Sequence, residues 1–259
     1  IIPYHIVESI KNTFPDAEIV NANDIMLSLR SIKSENELKC MRESLRIAKA
    51  VYAEVFKTIK PGMTELQMVG FIQKLIYEMG AEYEAFPVYM FSGEATTHAI
   101  SRAGYREFEK GDIIQFGLGA RIDGYSPSLS CPISLGKLEG HKKEIVEFGL
   151  EAFKWTLAQL KAGVLASDIA KEYVQLFNNR GYGDNYLYGP CHGCGMIEVE
   201  PPWMETTSDY TLKPNMTFEI DTFVRTKSFG VRWETCVAIT NDGCEMMETP
   251  YDLPYEVNV

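Results

Sequence analysis

Three stretches near the end of the chain decide the fold: GPCHGCGMIEVEPPW at residues 189–203, FEIDTFV at residues 218–224 and FGVRWETCVAIT at residues 229–240. The first places a histidine in a glycine-flanked turn, and the other two are β-rich runs that each carry an acid. Alternate residues of a strand share a face, so such groups on facing strands can enclose a common pocket. The three polar residues are His192, Asp221 and Glu234.

Pairs of helices precede the β-rich parts of the chain. Ser34 is followed three residues later by a glutamate, which is the pattern of a capping box, and apolar residues then recur at steps of three and four. Thr64 begins a second helix in the same way, with a glutamine at the third position. The arrangement recurs at residues 140–161 and 167–180.

The β-rich sections that follow the two helix pairs also match each other. Aligning residues 111–120 with residues 215–224 pairs Gly117 with Asp221. We therefore predict an α+β fold made of duplicated helix-helix-strand units related by a pseudo-twofold axis. The helices are expected to pack on one face of a curved, mainly antiparallel sheet, and the other face to form the pocket.

Composition and charge exclude several classes of protein. The formal net charge is −11 at pH 7, whereas a nucleic-acid groove needs a basic face. No apolar run approaches the roughly 18 residues that a membrane-spanning helix requires. The six cysteines are dispersed, which favours a reducing compartment over a disulfide framework. We predict a cytoplasmic protein without nucleic-acid or membrane partners.

Cys191 and Cys194 have the C-x-x-C spacing of some metal and redox sites. A structural zinc site would need a second such pair, and a redox motif would need a thioredoxin-like βαβ context. The sequence has neither, so we interpret both residues as ordinary thiols that line a turn.

His98 lies in a polar loop before a strand, within FSGEATTHAISRAGYREFEKGD at residues 91–112. Histidine both accepts and donates protons near neutral pH, because its unperturbed pKa is about 6.5. The loop position predicts a residue that handles protons at a substrate. The alternative is a histidine held in a turn network.

These motifs resemble the pita-bread family, which includes aminopeptidase P, prolidase, methionine aminopeptidase and creatinase. In that family the turn reads GHGxG, the next strand ends in an acid and the last carries R-x-E; His192, Asp221 and Glu234 match. The resemblance covers about residues 30–248 and implies the duplicated pita-bread fold. It also implies a hydrolase, creatinase-like or Xaa-Pro peptidase-like, that acts on C–N bonds. His98 matches the family's proton-handling histidine.

The chain departs from the peptidases of this family at their metal ligands. Their two ions are held by two aspartates, a histidine and two glutamates, and the aspartate positions are Gly117 and Ser128 here. A two-metal site needs carboxylates around dications about 3.5–4 Å apart, so we predict a degraded site without a binuclear centre. No cofactor is expected, or at most one divalent metal ion on His192, Asp221 and Glu234.

The chain does not begin with methionine, and we expect it to be part of a longer protein. Its first residues show a short helix at residues 4–13, a strand at residues 17–20 and a further short helix. We expect residues 1–33 to be the tail of a preceding N-terminal domain or a linker. Residues 34–259 are predicted to form the creatinase/aminopeptidase-like catalytic domain.

Further residues are candidates for binding the substrate. Arg232 and Arg225 flank the acids, and their planar, permanently charged groups suit bidentate binding of a carboxylate. Alternatively, both arginines only pair with the neighbouring acids. The candidates also include Glu200, which matches the glutamate of the family's H-E-x-P motif, and Tyr188, which is expected near the mouth of the pocket.

We predict a creatinase-like, metal-independent hydrolase of a C–N bond in a small amino-acid-like or peptide-like substrate. His98 would be the general acid/base, Asp221 and Glu234 would position a cationic group or water, and His192 would hydrogen-bond the substrate. Two alternatives stay open: an Xaa-Pro aminopeptidase or dipeptidase with a reduced one-metal site, and an inactive pita-bread binding module. A homodimer is expected, because the resembled enzymes are commonly dimers.

Overall fold

The computed structural model describes residues 2–252 and 255–259. The chain divides into two compact units, with the boundary between Arg30 and Ser31. The first unit contains helix α1 (Tyr4–Thr13) and most of helix α2 (Asn23–Ser31). The predicted strand at residues 17–20 is wrong: these residues are exposed and form no strand. A strand needs neighbours that accept its backbone hydrogen bonds. The division of the chain at residue 33 stays a prediction.

The helices of the second unit begin where the sequence places their caps. Ser34 accepts a hydrogen bond from the backbone of Glu37 and donates its own backbone N–H to that side chain, and Thr64 and Gln67 repeat the arrangement. The helices are α3 (Glu35–Thr58), α4 (Glu65–Glu78), α5 (Gly140–Gln159) and α6 (Ala166–Asn179), with 3-10 turns at Gly93–Thr97 and Gly183–Asn185. In the part of the chain that the structure covers, no helix is both long and apolar enough to cross a membrane.

Among the described residues, nine strands form one sheet. They are β1 (Tyr89–Ser92), β2 (Ile113–Leu118), β3 (Leu129–Leu135), β4 (Cys191–Gly193), β5 (Glu200–Met204), β6 (Thr217–Arg225), β7 (Gly230–Ile239), β8 (Cys244–Met246) and β9 (Glu256–Val257). The order is β1-β2-β3-β7-β6-β4-β5, with β8 beside β7 and β9 beside β3. All pairs are antiparallel except β3 with β9. The predicted mainly antiparallel sheet is confirmed.

The strand order shows the duplication. Strands β1, β2 and β3 of the first half mirror β4, β6 and β7 of the second, and β3 meets β7 at the centre. This central ladder is short, because it pairs only Leu129 with Thr235 and Ser130 with Glu234. Each half then presents an equivalent cross-strand pair: Gly117 with Ser130 in the first, and Asp221 with Glu234 in the second.

Tyr52 fixes helix α3 against the first half of the sheet. Its side chain is fully buried, and its hydroxyl donates to the carbonyl of Phe116 at 2.5 Å and lies 3.0 Å from that of Leu129. The same hydroxyl accepts the backbone N–H of Cys131 at 3.1 Å. One phenol therefore satisfies backbone groups of both β2 and β3 beneath the helix.

We expect Tyr52→Phe to lower the free energy of unfolding by about 1–3 kcal/mol, because it leaves buried backbone groups without their partner. Urea unfolding followed by circular dichroism measures this. Tyr77→Phe is the matched control, since Tyr77 is 55% exposed and its change should stay within about 0.5 kcal/mol. Equal stability of the two variants would contradict this account of Tyr52.

Candidate active site

Three strands bring a histidine and two acids together. Asp221 on β6 lies directly opposite Glu234 on β7, and His192 lies on β4, the other neighbour of β6. The three side chains are buried, and one ligand atom from each lies within 4.8 Å of the others. The structure therefore gathers the residues that the sequence placed in a turn and two strands.

The His192 ring has a defined orientation. Its Nδ1 lies 3.0 Å from the carbonyl oxygen of Gly193, which can only accept, so Nδ1 carries the proton. Its Nε2 points inward, 3.9 Å from Glu234 Oε1 and 3.9 Å from Glu198 Oε1. Burial lowers the pKa of His192 below its usual value. The neutral ring therefore presents its Nε2 lone pair to the acids.

Arg232 supplies a positive charge inside the cluster. Its Nε lies 3.5 Å from Asp221 Oδ1 and its Nη1 lies 3.8 Å from Glu234 Oε2. Its Nη2 donates to the carbonyl of Ala99 at 2.8 Å and to the hydroxyl of Tyr188 at 3.0 Å. The guanidinium is thus held between the carboxylates. The carboxylate-binding role expected of Arg232 stays a prediction.

Tyr188 joins the acids to a neighbouring cavity. Its hydroxyl donates to Asp221 Oδ2 at 2.8 Å, and burial raises the pKa of Tyr188 well above its usual value, so it stays a donor. Tyr188, His192 and Trp203 line a cavity of about 220 Å³. Tyr188 is therefore placed where it can both hold Asp221 and form a wall of the cavity.

Two acids that the sequence did not single out also belong to this region. Glu198 lies beside His192, with a side chain that is 12% exposed. Glu219 is fully buried on β6, and its Oε1 accepts the backbone N–H of Ser128 at 2.9 Å. Burial raises the pKa of both acids well above the usual value. Glu219 could have been found from the sequence, because it lies two residues before Asp221 on one strand. Glu198 lies in an irregular segment that gives no such signal.

His98 and Arg225 line a different cavity. They border a space of about 490 Å³ together with Asp184 and Lys227, and His98 does not line the cavity that contains His192. The amide of Gln115 donates to the His98 carbonyl at 3.0 Å and so fixes the loop. The structure therefore places His98 and His192 in the linings of different cavities, and the catalytic role of His98 and the substrate contact of Arg225 stay predictions.

Glu200 forms an ion pair with Lys33. Its Oε1 lies 3.5 Å from Lys33 Nζ, and both side chains are 3% exposed. Its Oε2 accepts the backbone N–H of Ile197 at 3.2 Å. These contacts fix the segment between β4 and β5, and the substrate contact expected of Glu200 stays a prediction.

Residues 39–241 match metallopeptidase family M24. The chain belongs to this family. It is 27% identical over 247 residues to an Xaa-Pro dipeptidase of Pyrococcus horikoshii, a match that covers 95% of this chain and 70% of the relative. An Xaa-Pro dipeptidase of Pyrococcus furiosus is also 27% identical, and that match covers 95% of this chain and 71% of the relative.

Solved structures show the same relationship. An X-Pro aminopeptidase from Thermotoga maritima superposes with a TM-score of 0.92 and 25% identity, covering 99% of this chain and 72% of that one. The prolidase from Pyrococcus furiosus superposes with a TM-score of 0.89 and 26% identity, and the match covers 96% of this chain and 74% of the prolidase. These matches confirm the pita-bread fold and a hydrolase of the Xaa-Pro peptidase-like kind that acts on C–N bonds. They favour the peptidase alternative over the metal-independent main interpretation.

The residues of this M24 chain fit one metal ion. Asp221 Oδ1 and Glu234 Oε1 are buried and have no hydrogen-bond donor within the described ranges 2–252 and 255–259. Together with Nε2 of neutral His192 they form a three-ligand nitrogen and oxygen set. Burial and the charge of Asp221 raise the pKa of Glu234 to about 7. The Arg232 cation and the Ser130 hydroxyl act in the opposite direction and lower this pKa.

A second ion in the usual M24 position does not fit. A side chain at Gly117 would overlap the Ser130 hydroxyl, which donates to Glu234 Oε2 at 2.8 Å. Ser128 carries a hydroxyl and not a carboxylate, and its backbone N–H donates a hydrogen bond to Glu219. The first half of the sheet thus has a glycine and a serine where the resembled peptidases have aspartates.

We expect Arg232→Gln to lower the free energy of unfolding by about 3–5 kcal/mol in chelator, because two buried carboxylates lose their cation. Urea unfolding measures the change. The control is Arg46→Gln, since the pair of Arg46 with Glu43 is exposed and its loss should cost less than about 1 kcal/mol. A stable Arg232→Gln protein would show that the acids do not depend on this charge.

Proposed function

We propose that this protein is an Xaa-Pro peptidase that hydrolyses short peptides with one divalent metal ion on His192, Asp221 and Glu234. The observation that carries the proposal is the convergence, within 4.8 Å, of a neutral imidazole nitrogen and two carboxylate oxygens that accept no hydrogen bond among residues 2–252 and 255–259. Membership of a metallopeptidase family and similarity to two Xaa-Pro dipeptidases support it.

A bound divalent ion would polarise the peptide carbonyl and lower the pKa of a coordinated water. The chain's own residues hold the donors in place. Gly193 fixes the ring of His192, Tyr188 holds one oxygen of Asp221, and Arg232 offsets the charge of the two acids. Such outer contacts set the orientation and basicity of ligands, and their loss typically weakens metal binding by about 10–100-fold.

Glu198 is suited to move the proton that the leaving amine requires. Its Oε1 lies 3.9 Å from His192 Nε2, and burial raises its pKa well above the usual value, which favours the protonated acid. Hydrolysis of a C–N bond adds hydroxide to carbon and a proton to nitrogen. Glu198 can therefore deliver its proton to the departing nitrogen and recover one from water.

The cavity beside the acids suits a small substrate. Its volume is about 220 Å³ and its walls include Tyr188 and Trp203. Drug-sized ligands occupy pockets of about 300–1,000 Å³, so this space suits a ligand of dipeptide size. An aromatic wall also favours an apolar ring such as that of proline.

The second candidate is the metal-independent, creatinase-like hydrolase. The observation in its favour is Arg232, a fixed cation that already lies between Asp221 and Glu234. In this candidate His98 is the general acid/base, and the carboxylates bind a cationic group of the substrate.

Metal dependence separates the two candidates. We expect chelator-treated protein to lose hydrolysis of Xaa-Pro dipeptides and to regain it with one equivalent of Mn²⁺, an ion that suits carboxylate ligands. His192→Ala should abolish this recovery, because it removes the one nitrogen ligand. His141→Ala is the matched control, since His141 is 61% exposed on α5. Undiminished turnover in chelator would overturn the one-metal proposal and support the creatinase-like candidate.

His98 gives an independent prediction. We expect His98→Ala to lower kcat on an Xaa-Pro dipeptide by less than about tenfold, since His98 lines a different cavity. A general acid/base contributes about 10²–10⁴-fold, so a loss of that size with intact circular dichroism would restore the catalytic assignment of His98. Steady-state kinetics measure both outcomes.

We also propose a cytoplasmic homodimer. All six cysteines are free thiols, which fits a reducing compartment. The dimer rests on the family resemblance, and light scattering after size exclusion distinguishes it from a 29.3 kDa monomer.

A further inference from the structure

A second group of ligating side chains lies next to the first. Cys194, Glu219 and Cys236 are all fully buried, and one ligand atom from each lies within 4.8 Å of the others. The two sulfur atoms are 2.9 Å apart. The proposed peptidase chemistry uses none of these three residues.

Each member of the second group lies two residues from a member of the first. The pairs are His192 on β4 and Cys194 directly after that strand, Asp221 and Glu219 on β6, and Glu234 and Cys236 on β7. Alternate residues of a strand share a face, so on β6 and β7 the two groups face the same side of the sheet. Two residues span about 7 Å along a strand, which is longer than the roughly 3.5–4 Å of a two-metal centre. The second group is therefore a site of its own.

Glu219 points to a missing ligand. Its Oε1 accepts from the backbone of Ser128, whereas its Oε2 is buried and lacks a hydrogen-bond donor within residues 2–252 and 255–259. Polar groups are rarely buried without a partner, because their desolvation is not compensated. A cation against the free oxygen and the two sulfurs would satisfy the carboxylate.

The spacing of the two sulfur atoms sets what binding requires. They lie 2.9 Å apart, which is longer than the roughly 2.05 Å of a disulfide bond. Two sulfurs bonded at about 2.3 Å to one tetrahedral ion lie roughly 3.8 Å apart, so the two thiol side chains must move apart when an ion binds. A disulfide between Cys194 and Cys236 is the competing outcome.

We propose that Cys194, Glu219 and Cys236 bind a single thiophilic divalent metal ion of the Zn²⁺ class. Thiolates select Zn²⁺ and similar ions over Mg²⁺, Ca²⁺ and Mn²⁺. The thiol protons, and any proton on Glu219, leave to solvent when the ion binds. Because the ligands are fully buried, the ion is structural: it joins β4, β6 and β7 next to the residues assigned to hydrolysis. This site does not depend on the proposed peptidase function.

Cobalt provides the test, because thiolate-bound Co²⁺ has an intense near-ultraviolet charge-transfer band that imidazole and carboxylate ligands do not produce. We expect reduced, chelator-treated protein titrated with Co²⁺ to develop this band to saturation at one equivalent of sulfur-bound ion. Cys194→Ser and Cys236→Ser should each abolish it. Glu219→Gln should weaken binding by about tenfold or more, since even outer-shell losses cost about 10–100-fold.

Two variants separate this site from the one beside it. His192→Ala should keep the charge-transfer band while it loses the other ion, and Cys244→Ser, a half-buried thiol outside the group, should leave the band unchanged. Loss of the band in His192→Ala would mean that no separate sulfur site exists. A folded wild-type protein without the band would overturn the proposal outright.

Thiol protection tests the unmutated protein, so the answer does not depend on the serine variants folding. Zn²⁺ should slow alkylation of Cys194 and Cys236 in peptide mapping at a denaturant concentration at which the apoprotein reacts, and leave Cys40 unaffected. Equal alkylation with and without Zn²⁺, or a Cys194–Cys236 disulfide in the mapped peptides, would contradict the site.

Discussion

Two buried carboxylates face each other across neighbouring strands, and this constraint governs the site. Asp221 and Glu234 are opposite partners on β6 and β7, so the sheet register itself forces them together. Like charges at this separation are unfavourable in a low-dielectric interior unless a cation lies between them. Arg232 neutralises part of the charge of the two acids. The oxygens Asp221 Oδ1 and Glu234 Oε1, which accept no hydrogen bond within the described ranges, define where an ion can bind.

The two halves of the fold contribute unequally to this site. The second half supplies the histidine, both carboxylates and the arginine, whereas the first supplies the Ser130 hydroxyl that holds Glu234 and the Ala99 carbonyl that holds Arg232. One half therefore carries ligands and the other orients them. This asymmetry shows how a chain can keep the family fold while one half of its sheet lacks the carboxylates that the other half supplies.

Much of the fold could be predicted from the sequence because its signals are local. The capping patterns at Ser34 and Thr64 fix helix starts, and the alternation in β6 and β7 places Asp221 and Glu234 on one face. Other features depend on distant contacts. Residues 17–20 have strand-like composition but no partner strand, and only the folded chain separates His98 from His192. Glu198 was missed for the same reason, since its segment has no periodicity.

Gly117 couples its own position to Glu234. The space that a side chain at this position would need is filled by the Ser130 hydroxyl, which is itself bonded to Glu234. An aspartate at position 117 would push that hydroxyl away from Glu234. A single substitution on β2 would therefore be felt by an acid on β7 through a residue of the strand between them.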